Sequence, residues 1–137
     1  MAETIRKVDY VATEVANKPG EGARVLGALA AWGVNLLAFT GFPSGRRSQI
    51  DLIPENMTAF LAAAKQVKLK VRPKKRGFLV QGDDRPGAVA DLMKRLAEAK
   101  VNVTAIDAVS AGMGRYGAIL WVKPRDVNKA AKALGVR

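Results

Sequence analysis

Asp83–Met93 reads DDRPGAVADLM, and Ala16–Leu26 reads ANKPGEGARVL. At an offset of 67, Lys18-Pro19-Gly20 falls on Arg85-Pro86-Gly87, Val25-Leu26 on Leu92-Met93, Leu29 on Leu96 and Val34-Asn35 on Val101-Asn102. Downstream, Gly45-Arg46-Arg47 meets Gly114-Arg115-Tyr116 at an offset of 69, so the small insertions fall where loops belong. The 137-residue chain therefore reads as two units, 1–73 and 74–137.

Each unit spells strand, helix, strand, strand, helix. Val8–Val15 and Phe78–Gln81 carry the residue types of strands, and Pro-Gly then opens a helix, since proline is tolerated in a first helical turn. In the second unit Val89, Leu92, Met93 and Leu96 fall at i, i+3, i+4 and i+7, one apolar stripe; Gly22, Val25, Leu26 and Leu29 are its copy. Gly22 and Gly27 weaken that copy, and the sequence explains them by close packing of one helix on another. Asn35–Thr40 and Asn102–Val109 run through glycine-bearing hairpins, Pro43–Arg47 and Ala111–Arg115, into Gln49–Ile53 and Ala118–Val122. The second helices present Met57, Phe60, Leu61 and Ala64 in one unit and Val127, Ala130, Ala131 and Leu134 in the other.

The first unit adds a strand at Lys68–Arg72, whereas the second stops at Gly135-Val136-Arg137. The expected fold class is α+β: two ferredoxin-like βαββαβ units, each an antiparallel sheet with helices on one face, the second lacking most of its last strand. That strand would have flanked Phe78–Gln81, so a strand from the first unit or from a second chain is expected there.

Hydrophobic residues make up 49% of the chain, enough for a folded core, and no stretch approaches the roughly 18 apolar residues of a membrane span. Met1–Lys7 lacks the apolar region of a secretory signal, which makes the cytoplasm the expected location. With no cysteine and no histidine, disulfides, thiolate metal sites and the commonest general base are excluded, and no cofactor is expected. Asp51 and Asp107, on mostly apolar strands, have no histidine or cysteine to act with, and Ser44, Ser48 and Ser110 have no activating base nearby in sequence, so an enzyme is not expected. The net charge of +11 points to an anionic partner.

A βαββαβ unit with a polar residue, a basic residue and Pro-Gly at its first strand–helix junction, then Gly-Val-Asn before its second strand, resembles the ACT domain, and the resemblance covers nearly the whole chain as a tandem pair. ACT domains are regulatory modules that bind amino acids or related metabolites, most often between two copies, and control an enzyme or transcription factor. The resemblance thus implies a cytoplasmic, homo-oligomeric sensor with no attached enzyme, binding an amino-acid-like or anionic small molecule at an interface between units or subunits. In serine-binding members an asparagine two residues before the proline and another opening the second strand hold the ligand. These positions are Asn17 and Asn35 here, and Asp84 and Asn102 in the second unit. A histidine of the serine pattern is replaced by Val15 and Gly82, which leaves an amino-acid-like ligand rather than serine in particular.

The candidate ligand-binding residues are accordingly Asn17, Lys18, Gly20 and Asn35, with Asp84, Arg85, Gly87 and Asn102. Backbone N–H groups at a helix N-terminus suit a carboxylate, and asparagine or aspartate can meet an ammonium group. Singly, each residue also has a structural role: Pro-Gly as a turn, the asparagines as partners of local backbone, Asp84 as a helix cap.

The alternative function is a basic nucleic-acid-binding module. Lys65–Arg76 carries seven Lys or Arg and no acid, and RNA-recognition domains share this topology. Arg76-Gly77-Phe78 begins their aromatic motif, but Leu79 and Val80 break it. Lysines that guard a sheet edge account for the same run. A ligand-free pair that only mediates association is the third reading.

Overall fold

The structure is a computed structural model that describes residues 3–136. The elements run β1 (Thr4–Ala16), α1 (Glu21–Ala31), β2 (Leu36–Ser44), β3 (Arg47–Pro54), α2 (Met57–Gln66), β4 (Lys75–Asp83), α3 (Ala88–Glu98), β5 (Val103–Gly112), β6 (Arg115–Val122) and α4 (Val127–Leu134). The architecture is α+β, an antiparallel sheet with the order β2-β3-β1-β4-β6-β5 and four helices among the described residues.

Two compact units form: Asp9–Lys75, called here the first, and Met1–Val8 together with Arg76–Arg137, the second. The strand β1 is shared between them, its start going with the second unit and the remainder with the first. The position beside β4 is thus filled by a strand of the same chain, β1, whose Ile5 packs against the core of the second unit.

In the first unit, β1 pairs antiparallel with β3 from Val11↔Leu52 to Ala16↔Arg47, and β3 pairs with β2. Val11, Val15, Ile50 and Leu52 point to one face and are covered by Val25 and Leu29 of α1 and Phe60, Ala63 and Ala64 of α2. Burying one such aliphatic side chain contributes about 1.5–3 kcal/mol. The second unit repeats the plan with Phe78, Val80, Ala118 and Leu120 beneath Leu92 and Leu96 of α3 and Ala130, Ala131 and Leu134 of α4.

Several expectations need correction. Leu61 and Met93 lie at the margins of their helix stripes and are exposed, while Ala63 takes the inward place in α2. Lys68–Arg72 is not a regular strand. Lys68 sits in the left-handed region (φ 58) where α2 ends, and Pro73 has no N–H to extend a ladder. What remains is an extended edge segment: Arg72 N–H donates to Ala12 O at 2.9 Å, and the Thr13 hydroxyl donates to the Lys70 carbonyl. The stub expected at residues 135–137 ends in Arg137, outside the described residues. Nor are Gly22 and Gly27 points of close approach, since a Cβ on either would meet no atom within 4 Å.

Gly82 is different. It pairs with Tyr116 across β4 and β6, and a Cβ there would lie 2.9 Å from the Tyr116 ring, which is itself buried. Gly82→Ala should therefore destabilise the protein by about 1–3 kcal/mol through overpacking. Gly27→Ala should stabilise it by about 0.5–1 kcal/mol through helix propensity. Urea unfolding of both variants checks the pair; equal effects would contradict the geometry.

Candidate functional site

The two Pro-Gly junctions share a local geometry. Gly20 (φ 90) and Gly87 (φ 86) are the N-cap residues of α1 and α3, both left-handed, a conformation that glycine adopts without the Cβ clash of other residues. Neither helix receives a side-chain cap; the first amides, Glu21 and Ala88 N–H, bond back to Lys18 O at 3.4 Å and Arg85 O at 3.2 Å, and the next two amides of each helix are left for solvent or a ligand. The first bonds back to the glycines come only at Arg24 N–H to Gly20 O and Asp91 N–H to Gly87 O, each 2.9 Å.

The polar residue ahead of each junction is held by a serine. Ser48 Oγ donates to Asn17 Oδ1 at 3.1 Å, and Ser110 Oγ donates to Asp84 Oδ2 at 2.8 Å. Asp84 N–H also donates to Gly114 O at 2.9 Å, which fixes that junction against the β5–β6 hairpin. Asp84 is therefore a hairpin tether and not the cap of α3. The sequence marks Ser48 and Ser110 only as hydroxyls without an activating base, and not as partners of the junctions.

The basic residues are paired with acids of their own helices. Lys18 lies 3.9 Å from Glu21, and Arg85 reaches Asp91 at 2.6 Å. The hydrogen bond from Arg85, then its charge, holds the Asp91 carboxyl below the usual carboxylate range; Arg24 acts in the same way on Glu21.

The asparagines that open the second strands stand elsewhere. Asn17 follows Ala16, which pairs with Arg47, whereas Asn35 precedes Leu36, which pairs with Pro54. Arg47 and Pro54 are seven residues apart (54 − 47) along β3, about 23 Å of strand at ~3.3 Å per residue. Asn17 and Asn35 thus lie at opposite ends of their unit. The second unit repeats this, with Asp83↔Arg115 at one end of β6 and Val103↔Val122 at the other, so Asp84 and Asn102 are equally separated. Asn35 Nδ2 donates to Glu55 Oε2 at 2.7 Å, and Asn102 is exposed.

Arg85 has a second role. With Glu3, Asp91, Lys94, Arg95 and Glu98 it lines a shallow groove of about 490 Å³ in the second unit. Arg95–Glu3 at 2.7 Å and Lys94–Glu98 at 4.0 Å pair the other charges there. The Tyr116 hydroxyl is buried with no hydrogen-bond partner among the described residues. Burial, and then the Glu3 carboxylate, raise its pKa.

Of the remaining acids, Asp51 is buried on β3 and accepts from the Thr40 hydroxyl at 3.0 Å and Gln49 Nε2 at 3.1 Å, whereas Asp107 is exposed. Among the described residues no group of three or more acids is placed to hold a metal ion, and no helix is long and apolar enough to cross a membrane.

No protein-family model matches the sequence and no curated protein does, so the likeness to known proteins is one of structure. A Bacteroides thetaiotaomicron protein superposes with a TM-score of 0.78 at 17% identity, over 97% of this chain and 88% of that one. The ligand-free regulatory subunit of aspartate kinase from Thermus thermophilus superposes at 0.65 and 17% identity, over 98% and 93%. Aspartate kinase from Clostridium acetobutylicum, an allosteric enzyme, gives 0.60 at 19% identity, over 97% of this chain and 33% of that one. The fold is of the ACT type.

The Arg85–Asp91 contact predicts a pH dependence. A carboxylate whose folded pKa is lowered stabilises the fold above its unfolded pKa, and that contribution is lost as pH falls through the lowered value. In an NMR titration Asp91 should ionise below the usual aspartate range, and Arg85→Gln should return it there; an unmoved Asp91 would remove Arg85 as the cause.

Proposed function

We propose that the chain is a cytoplasmic, non-enzymatic regulator: a tandem pair of ACT-type units, written in residues 1–73 and 74–137, that binds an amino-acid-like anionic metabolite and relays its presence to an enzyme or transcription factor. The observation that carries this reading is the doubled junction, an uncapped helix start behind a left-handed glycine with a serine-held amide or carboxylate beside it. The second and third amides of each helix and the positive end of the helix dipole receive the ligand carboxylate. Asn17 or Asp84 accepts from its ammonium group, and Lys18 and Arg85 keep the approach cationic. The shared fold with the aspartate kinase regulatory subunit supports a regulatory role.

Because Asn17 and Asn35 stand at opposite ends of one unit, a ligand that touches both types of residue takes them from two units, of one chain or of two copies. The proposed site accordingly lies at an interface between units or between subunits of a homo-oligomer. The outer strand β2 (LLAFTGFPS) favours such an interface: it carries no charged side chain to oppose edge pairing, and its Phe39 and Phe42 are exposed.

A thermal-shift screen against the common amino acids and anionic metabolites tests this. A ligand at 100 times its Kd stabilises by about 2.7 kcal/mol. The shift should vanish in Asn35→Ala/Asn102→Ala, whose exposed side chains leave the unliganded melting temperature close to that of the parent. A shift retained in the double variant overturns the site, and no shift with any compound overturns the sensor reading.

A further inference from the structure

The edge segment after α2 has a property that the ligand reading does not use. Leu69 and Val71 pack against the core of the first unit, and the segment is tied to β1 through Arg72 N–H to Ala12 O. Residues 70 and 72 therefore point outward, and Lys74 follows them beyond Pro73. All three are cations and all are exposed, with Lys68 and Lys75 at the two ends. In an extended chain alternate residues repeat every ~6.6 Å, so the positive charges form a row along the segment.

The acids nearby do not cancel it. Glu14 is shared between Arg72 at 3.2 Å and Arg47 at 3.9 Å, one carboxylate against two guanidinium groups, and Asp9 lies 3.8 Å from Lys74. The contact with Glu14 puts Arg72 on the sheet face away from the helices. The half-buried ring of Tyr10 belongs to that face, because Val11 and Val15 take the covered side of β1.

We propose that this edge is a binding surface for single-stranded nucleic acid, with Lys70, Arg72 and Lys74 tracking successive phosphates and Tyr10 offering a ring face to a base. A linear row of cations matches a linear row of phosphates, and an aromatic beside a basic track is the usual means of holding unpaired bases without reading sequence. An anionic bilayer fits less well. The apolar residues of the segment are turned into the core, which leaves nothing to enter the lipid interface.

The test measures binding of the full chain to a fluorescent single-stranded oligonucleotide over a range of salt, with vesicles containing anionic lipid as a second probe. Each phosphate contact contributes about −0.7 to the slope of log K against log salt. Lys70→Gln/Lys74→Gln should make the slope shallower by about 1.4, while Lys129→Gln/Lys132→Gln, an equal loss of charge on α4, should leave it unchanged. Equal changes in the two variants would assign the binding to net charge and overturn the proposal. So would vesicle binding without oligonucleotide binding, or no binding to either. Failure here leaves the metabolite site untouched, since neither pair of lysines belongs to it.

Discussion

The backbone ladder of β1 is the constraint on which the rest depends. Every amide and carbonyl buried in a sheet needs a partner, and this 13-residue strand supplies partners to β3 with its later residues and lies next to β4 in the strand order. Without it β4 would be a bare edge and the first unit would lose the strand on which β3 is registered. That register in turn decides which side chains reach the helices and which strand ends carry the junctions.

The junctions show how little side-chain chemistry is needed to prepare a polar site. A left-handed glycine turns the chain abruptly from strand into helix and brings no capping side chain, so the first-turn donors beyond Glu21 and Ala88 stay available. Serines on the hairpins then hold Asn17 and Asp84 in place. The two junctions differ in charge where they are otherwise alike, because an amide in one is a carboxylate in the other. The second is thus better suited to an ammonium group and less hospitable to a carboxylate.

Much of this is legible in the residues. Pro-Gly repeated at 67, the stripes Val25/Leu29 and Leu92/Leu96, and the glycine hairpins depend on local geometry, and local geometry is what spacing encodes. The failures are of another kind. Leu61 and Met93 sit at stripe margins, where packing partners decide exposure. Lys68–Arg72 has strand-like composition, but a proline follows and the helix ahead ends in a left-handed lysine. Asn17 and Asn35 match one motif, yet their separation follows from strand register, which no spacing along the chain reveals. The need for a strand beside β4 is legible in the missing last strand of the second unit, but not that β1 meets it.

The shared strand also sets an order of events. The early residues of β1 leave the ribosome about 70 positions before β4, the strand beside them, so their edge groups must wait, solvated and open to other chains, while the first unit forms. Contacts this distant in sequence carry a loop-closure cost that slows the final step. The basic residues Arg6 and Lys7, set in that waiting segment, give it a charge that discourages wrong pairing during the interval. The position of one strand thereby becomes a matter of timing as much as of architecture.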